Sequence, residues 1–152
     1  MSIEDDIRLL EQVPTFALLG PDSLRILAIG CESRYVHGGD ILFRHGESAD
    51  AGYVVQDGSF RLEPPGAQGT TVGAGALIGE LALLIETKRP VTATACEPST
   101  VIRIPRTLFL KMLEGYPEAA QRLRDNILHR NEQAIREMRK LRGKLGGAEG
   151  GK

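Results

Sequence analysis

One segment of the chain, Gly79–Ala95 with the sequence GELALLIETKRPVTATA, combines features that rarely occur together. Glu80 stands at the start of an apolar run, and Arg89 lies ten residues after Gly79 and beside a proline. A core segment normally carries neither charge, and a solvent-exposed loop rarely carries five consecutive apolar residues such as LALLI. The two charges must therefore be explained by what they bind.

Glycines in and before this segment invite a comparison with known phosphate-binding loops. Gly73, Gly75 and Gly79 nearly form a dinucleotide fingerprint, but the spacing is G-x-G-x-x-x-G and the flanks read as short antiparallel strands. A nucleoside-triphosphate loop is excluded, because Gly79 is followed by Glu-Leu rather than by Lys-Ser/Thr. A turn and a buried helix without any ligand is the non-functional alternative.

A third functional interpretation is a helix start that binds an anion. Gly79 would begin a one-turn helix whose first N–H groups, on Leu81 and Ala82, face an anion that Arg89 also binds. A carboxylate at Glu80 fits beside an anion only if it accepts hydrogen bonds from a hydroxyl group. An anion and a hydroxyl on one ligand describe a ribose phosphate.

The middle of the chain predicts a block of short strands. From Tyr35 to Ile104, β-rich runs alternate with Gly, Asp and Pro. Asp57-Gly58 is the best β-hairpin signal in the chain, and EPPGAQG at 63–69 predicts a loop that ends a strand. Many short strands at this spacing predict an antiparallel sandwich or barrel.

Helical periodicity flanks the strands. It predicts helices at 2–13, after Pro21, at Arg106–Glu114, and from Pro117 to about Gly143. The last helix carries a stripe that resembles a coiled-coil seam and favours a parallel homodimer, with packing against the strands as the alternative: Leu123, Ile127, Asn131, Ala134, Met138, Leu141 and Leu145. Its Lys and Arg residues are interleaved with acidic ones, which favours a solvated surface over a nucleic-acid site.

Composition sets the outer limits. A length of 152 residues fits one domain. The formal net charge of -1 gives no overall electrostatic attraction to nucleic acid or to anionic membranes. An acidic, amphipathic N-terminus and the lack of a long apolar stretch predict a cytoplasmic protein that does not enter membranes. Cys31 and Cys96 are expected to be reduced, and the three histidines lack the spacing of a metal site.

Three stretches in register resemble the cyclic-nucleotide-binding domain family, in its Crp/Fnr-like, catabolite-activator branch: VPTFALLGPDSLRILA, GGDILFRHGESADAGYVVQDGSFRL and GAGALIGELALLIETKRPVTATA. The resemblance covers about Phe16 to Leu141. It implies that the turn of Gly79, Glu80 and Ala82 binds the ligand through a backbone N–H, with Glu80 on the ribose 2′-hydroxyl, and that Arg89 binds the cyclic phosphate. It further implies a ligand-binding set that contains Val72, Leu77, Leu81, Pro90, Val91 and Arg130.

The chain departs from the family pattern at two places. Pro90 stands where the family usually has a small residue with a free N–H, so one phosphate donor is missing. The stretch that would approach the base reads Arg130, Asn131, Ala134 and Ile135, and it leaves open whether cyclic AMP or cyclic GMP is preferred. As a structural alternative, Arg89 could simply pair with Glu80 or Glu86 across the turn.

The sequence as a whole predicts an α+β fold: an antiparallel jelly-roll barrel of about eight strands with short flanking helices and a long C-terminal helix. Residues 1–115 would form the binding domain, 116–145 the dimerisation helix and 146–152 a disordered Gly-rich tail. The expected function is non-enzymatic sensing of a cyclic nucleotide, relayed to a partner protein through that helix, without a cofactor or specific DNA binding. The alternatives are a ligand-free interaction module and a Crp/Fnr-type regulator with a separate DNA-binding element.

Overall fold

A computed structural model describes residues 2–130 of the chain. The helices in this part are α1 (Ile3–Glu11), α2 (Pro21–Gly30), α3 (Arg106–Glu114) and a final helix at 117–130, with two short 3-10 helices at Pro14–Phe16 and Glu80–Leu83. The strands are β1 (Glu32–Val36), β2 (Ile41–Phe43), β3 (Ser48–Ala49), β4 (Ala51–Asp57), β5 (Ser59–Glu63), β6 (Thr70–Gly73), β7 (Leu77–Ile78), β8 (Thr87–Lys88), β9 (Thr92–Ala95) and β10 (Ser99–Pro105). The α+β fold expected from the sequence is confirmed.

The strands form two large antiparallel sheets rather than a closed barrel. Their orders are β1-β10-β4-β7 and β2-β9-β5-β6, and β3 pairs separately with β8. Within residues 2–130 no ladder joins the two large sheets, so the predicted jelly roll is confirmed as a sandwich of two sheets rather than a closed barrel. The sequence pattern does not separate the two architectures, because both bury the same alternate side chains of each strand.

The predicted hairpin at Asp57-Gly58 is wrong. β4 pairs with β10 and β7, whereas β5 pairs with β6 and β9, so the chain crosses from one sheet to the other at Gly58. Gly58 has φ of 92°, and a Cβ on it would lie 2.1 Å from Ser99 Oγ. The glycine therefore serves a tight crossing, while the hairpin forms one strand later, between β5 and β6 around the 64–69 loop.

Two hydrophobic cores share strand β4. Val55 faces the interior of the sandwich and contributes to a core with Phe60 and Val101. Val54 points the other way, into a core that α1, α2, α3 and the final helix cover. Because successive strand residues face opposite sides, a strand between two cores is apolar throughout, and residues 51–55 are all buried.

The final helix packs on its own domain as far as the structure describes it. Leu123 and Ile127, the first two residues of the predicted seam, are 0% exposed and belong to the helical core. The remaining seam residues lie outside the described part, so the homodimer stays a prediction. No helix within residues 2–130 is long and apolar enough to cross a bilayer.

Candidate functional site

Gly79 sets the geometry of the site. It adopts a left-handed conformation, with φ of 79° and ψ of 39°, and caps the 3-10 helix Glu80–Leu83. A Cβ at this position would lie 2.5 Å from Arg89 Nη1. Only glycine therefore allows both the left-handed turn and the approach of the guanidinium beneath it.

Arg89 is buried under this turn, with 3% of its surface exposed. Its guanidinium carbon lies 4.2 Å from the centre of the Phe43 ring and 5.5 Å from that of Tyr53. Its Nη1 has no hydrogen-bond partner in the described part of the chain. Burial lowers the pKa of the Arg89 guanidinium, but arginine still carries its charge at neutral pH, so the group favours an anion.

Glu80, in contrast, already has partners. Its Oε2 accepts a hydrogen bond from the Thr15 hydroxyl and lies 2.9 Å from Arg130 Nη2. Arg130 Nη2 also donates to Thr15 Oγ1 at 2.8 Å, and its Nε donates to Asn126 Oδ1 at 2.9 Å. The carboxylate thus joins the 79–95 segment to the N-terminal 3-10 helix and to the final helix.

The far end of the Glu80–Leu83 helix is held by Arg106, the first residue of α3. Arg106 Nη1 donates to the carbonyl oxygens of Ala49, Ala82 and Ile85 at 2.9, 3.2 and 3.0 Å. A cation at the C-terminus of a helix satisfies unpaired carbonyls and complements the helix dipole. Arg106 therefore fixes the turn from the side opposite to Gly79.

One of the two expected amide donors is engaged within the turn itself. Ala82 N–H donates to Gly79 O at 3.2 Å, a long 3-10 hydrogen bond. An anion in front of the turn would share or replace this bond. Pro90, directly after Arg89, supplies no N–H of its own.

A cavity opens in front of the turn. Its volume of about 700 Å³ lies in the size range of small-molecule sites. Its lining contains seven of the predicted residues: Leu77, Gly79, Glu80, Leu81, Ala82, Arg89 and Pro90. His45, Pro65, Thr87 and Lys88 complete the outer wall with Gly46 and Ala49. Of the other predicted residues, Val72 and Val91 do not line the cavity and pack against the sandwich core, and Arg130 reaches Glu80 from the final helix.

A family model for the cyclic nucleotide-binding domain matches residues 33–116, more than half of the chain. The chain belongs to the cyclic nucleotide-binding domain family. A solved structure of a cyclic nucleotide-binding-like protein from Brucella abortus is 39% identical, has a TM-score of 0.65, and matches 72% of this chain and 98% of its own. The family resemblance inferred from the sequence is confirmed.

Curated relatives carry the matching region inside much longer proteins. A lysophospholipase, nte1 of Aspergillus fumigatus, is 33% identical over 60% of this chain, which corresponds to 7% of its own length. A cyclic nucleotide-gated potassium channel, mll3241 of Mesorhizobium japonicum, is 29% identical over 84% of this chain and 35% of its own. The chain therefore spans a minor part of either relative.

Sequence reasoning missed two residues that shape the site of this cyclic nucleotide-binding domain. Thr15 lies 65 residues from Glu80, and Arg106 lies 57 residues from Ala49. Thr15 lies in the stretch VPTFALLGPDSLRILA, but there it is a lone hydroxyl among apolar residues, and Arg106 is an ordinary first-turn arginine. The third long-range contact, Arg130 with Glu80, joins two residues that were both predicted, but as separate ligand contacts.

Proposed function

We propose that this protein is a non-enzymatic sensor of a cyclic mononucleotide, cyclic AMP or cyclic GMP. The observation that carries the proposal is Arg89, a buried guanidinium with an unpartnered Nη1 beneath a left-handed glycine turn and facing the cavity. A buried cation with an unsatisfied N–H group is costly unless an anion accepts its hydrogen bond. A cyclic phosphate has the charge and the oxygens to do so.

The ligand would lie with its phosphate on Arg89 and its ribose hydroxyl on Glu80. Both groups line the same cavity, together with the Gly79 turn and apolar Leu77 and Leu81. We assign the base to the apolar wall on the Val72 side, with Ala82, Pro90 and Val91 closing the pocket around the phosphate. The matching of the family model supports this assignment as a whole.

The ligand signal would pass to the final helix through Glu80. Its ion pair with Arg130 connects the binding turn to that helix directly. A ligand that fixes the Glu80 carboxylate therefore also biases the position of Arg130. The fungal lysophospholipase and the bacterial channel match this domain within longer proteins, which supports an output that lies outside the domain itself. We further predict a cytoplasmic location, a homodimer through the final helix and no specific DNA binding. The predicted domain division stays 1–115 for the binding domain, 116–145 for the dimerisation helix and 146–152 for the tail.

The decisive test is a calorimetric titration of the purified chain with cyclic AMP, cyclic GMP and a cyclic dinucleotide. We expect saturable binding of at least one cyclic mononucleotide by the wild type and none by Arg89→Ala. Arg61→Ala is the matched control, because Arg61 is an exposed β5 residue whose partner is Glu63, outside the cavity. If no member of the panel binds to folded wild-type protein, the ligand-free interaction module replaces this proposal.

A further inference from the structure

A threonine two residues before Arg89 lines the same cavity. Thr87 begins strand β8, and successive residues of an extended segment point to opposite sides, so Thr87 and Arg89 share one face. The exposure pattern agrees with this alternation, because Thr87 is half-buried and Arg89 buried, whereas Lys88 and Pro90 are exposed. The Thr87 hydroxyl group is therefore on the side of the segment where the guanidinium lies.

Pairing with strand β3 holds the backbone that carries these two side chains. Thr87 pairs with Ala49, and Arg89 N donates to Glu47 O at 2.8 Å, so the ladder continues one residue past β8. Ala49 is 3% exposed and also lines the cavity, which places this end of the ladder in the cavity wall. A hydrogen-bonded ladder keeps Thr87 and Arg89 in a constant relation before a ligand arrives.

The Thr87 hydroxyl has a proton that it can offer to an anion. It donates to Lys88 O at 3.5 Å, which is at the outer limit of hydrogen-bond distances. Because a hydroxyl group rotates about its C–O bond, this proton can turn to a better acceptor without any movement of the backbone. Among the cavity-lining residues within the described range 2–130, Thr87 is the only one with a hydroxyl group. The neighbouring ammonium group of Lys88 is already bound to Ser48 Oγ at 3.1 Å.

A phosphate beside Arg89 would otherwise find few donors. Pro90 has no N–H, and Ala82 N–H already donates to Gly79 O. A cyclic phosphate has two unesterified oxygens that share one negative charge, and each can accept more than one hydrogen bond. Arg89 Nη1 alone does not satisfy both oxygens.

We propose that the Thr87 hydroxyl binds the phosphate of the ligand beside Arg89 and takes the place of the donor that Pro90 lacks. The inference rests on the proposed function, because it needs a cyclic nucleotide in the cavity. Thr87 would donate to one unesterified oxygen, while Arg89 donates to the other. The hydroxyl group thus adds affinity at the phosphate and distinguishes its two oxygens.

The test titrates wild type, Thr87→Val and Thr87→Ser with three probes: the cyclic mononucleotide that wild type prefers, cyclic AMP or cyclic GMP, and its two phosphorothioate diastereomers. Each diastereomer carries sulfur, a weak acceptor, in place of one unesterified oxygen. We expect Thr87→Val, which keeps the shape and loses the hydroxyl, to bind the parent nucleotide about tenfold more weakly. Wild type should bind one diastereomer more weakly than the parent, and this difference should shrink at least about threefold in Thr87→Val. Thr87→Ser should behave like wild type.

The control is Thr94→Val, which changes another half-buried strand threonine, located in β9 and outside the cavity lining. It should leave all three affinities unchanged. In a Pro90→Ala background, Thr87→Val should weaken binding by less than about threefold, because the restored N–H serves the same phosphate. A full tenfold loss in that background would overturn the inferred replacement of the Pro90 donor.

Two results separate this inference from the proposed function. Equal losses for all three nucleotides in Thr87→Val, or no loss at all, would overturn the inference and leave the sensor function intact. If Thr87→Val does not fold, Thr87→Ala decides in the same way, since it also removes the hydroxyl. Failure of wild type to bind either parent nucleotide overturns the proposed function, and this inference with it.

Discussion

The two charges of the 79–95 segment lie in contrasting surroundings. Arg89 faces the sandwich, stacked on Phe43, and its Nη1 has no hydrogen-bond partner in the described part of the chain. Glu80 faces the helices and is bound by Thr15 and Arg130. Arg89 Nη1 thus lacks a hydrogen-bond partner within residues 2–130, whereas Glu80 is connected to two other elements of the protein. Under the proposed function, we expect the affinity for a nucleotide to depend mainly on Arg89 and the coupling to the final helix to depend on Glu80.

Removing Arg89 should give the largest effect on binding. In Arg89→Met we expect affinity for the preferred cyclic nucleotide to fall at least about a hundredfold, because a charge-assisted hydrogen bond to the phosphate is lost in a buried setting. The free energy of unfolding of the free protein should not fall, since the desolvated guanidinium is compensated mainly by the Phe43 ring. Calorimetry and urea denaturation measure the two quantities. A marked loss of stability with unchanged affinity would show that Arg89 stabilises the fold and does not bind the ligand.

Arg106 tests whether the turn above Arg89 needs its support. Arg106→Met leaves the carbonyl oxygens of Ala49, Ala82 and Ile85 without this donor. We expect the free energy of unfolding to fall by about 2 kcal/mol and nucleotide affinity to fall about tenfold. Amide exchange of residues 80–85 in the free protein should accelerate at the same time. Arg61→Met is the matched control. If Arg106→Met lowers stability without any change in affinity, the role of Arg106 is purely structural.

Replacing Pro90, next to Arg89, should raise the affinity for a nucleotide rather than lower it. Pro90→Ala restores an N–H next to Arg89 where an anion would lie, and Pro90 is exposed, so the gain should be near the low end of about 1.5–3 kcal/mol for a hydrogen bond to a charged group. We expect cyclic mononucleotide binding to tighten about tenfold at most. The melting temperature of the free protein should drop slightly, because the unfolded chain gains freedom. Equal or weaker binding would indicate that the phosphate does not adopt the family pose.

Arg130 should show the smallest effect on affinity. The Arg130 side chain is 44% exposed, and partly exposed ion pairs contribute about 0–1 kcal/mol, so Arg130→Met should change nucleotide affinity by less than about fivefold. Its effect should appear in coupling instead. Nucleotide should alter amide exchange across helix 117–130 in the wild type and much less in the variant. A large loss of affinity, with the exchange response of helix 117–130 unchanged, would show that Arg130 acts in binding, like Arg89, rather than in coupling.

The sequence was informative where function depends on local spacing. Gly79, Glu80 and Arg89 lie within one short segment, and they line one cavity in the structure, as their residue types and spacing predicted. The helix Arg106–Glu114 was predicted with its observed bounds for the same reason, since its periodicity is local.

Contacts between distant segments were not accessible in this way. The Asp57-Gly58 signal describes a tight turn correctly but does not state which strands pair, because pairing depends on partners such as Ser99 that lie far along the chain. Likewise, the apolar stripe that begins at Leu123 and Ile127 shows that one face is buried but not against what. Thr15 gave no signal because a single hydroxyl has a meaning only beside its partner.

Strand β4 has a consequence for how the protein unfolds. Val54 lies in the helical core and Val55 in the sandwich core, so one strand forms a wall of both. Loss of either core would expose an apolar face of the same strand, and neither half is expected to melt first on its own. Leu123 and Ile127 belong to this arrangement, which makes residues 117–130 part of one cooperative unit rather than an arm attached to it. A chain shortened before Pro117 should therefore lose thermal stability in the sandwich as well as in the helices.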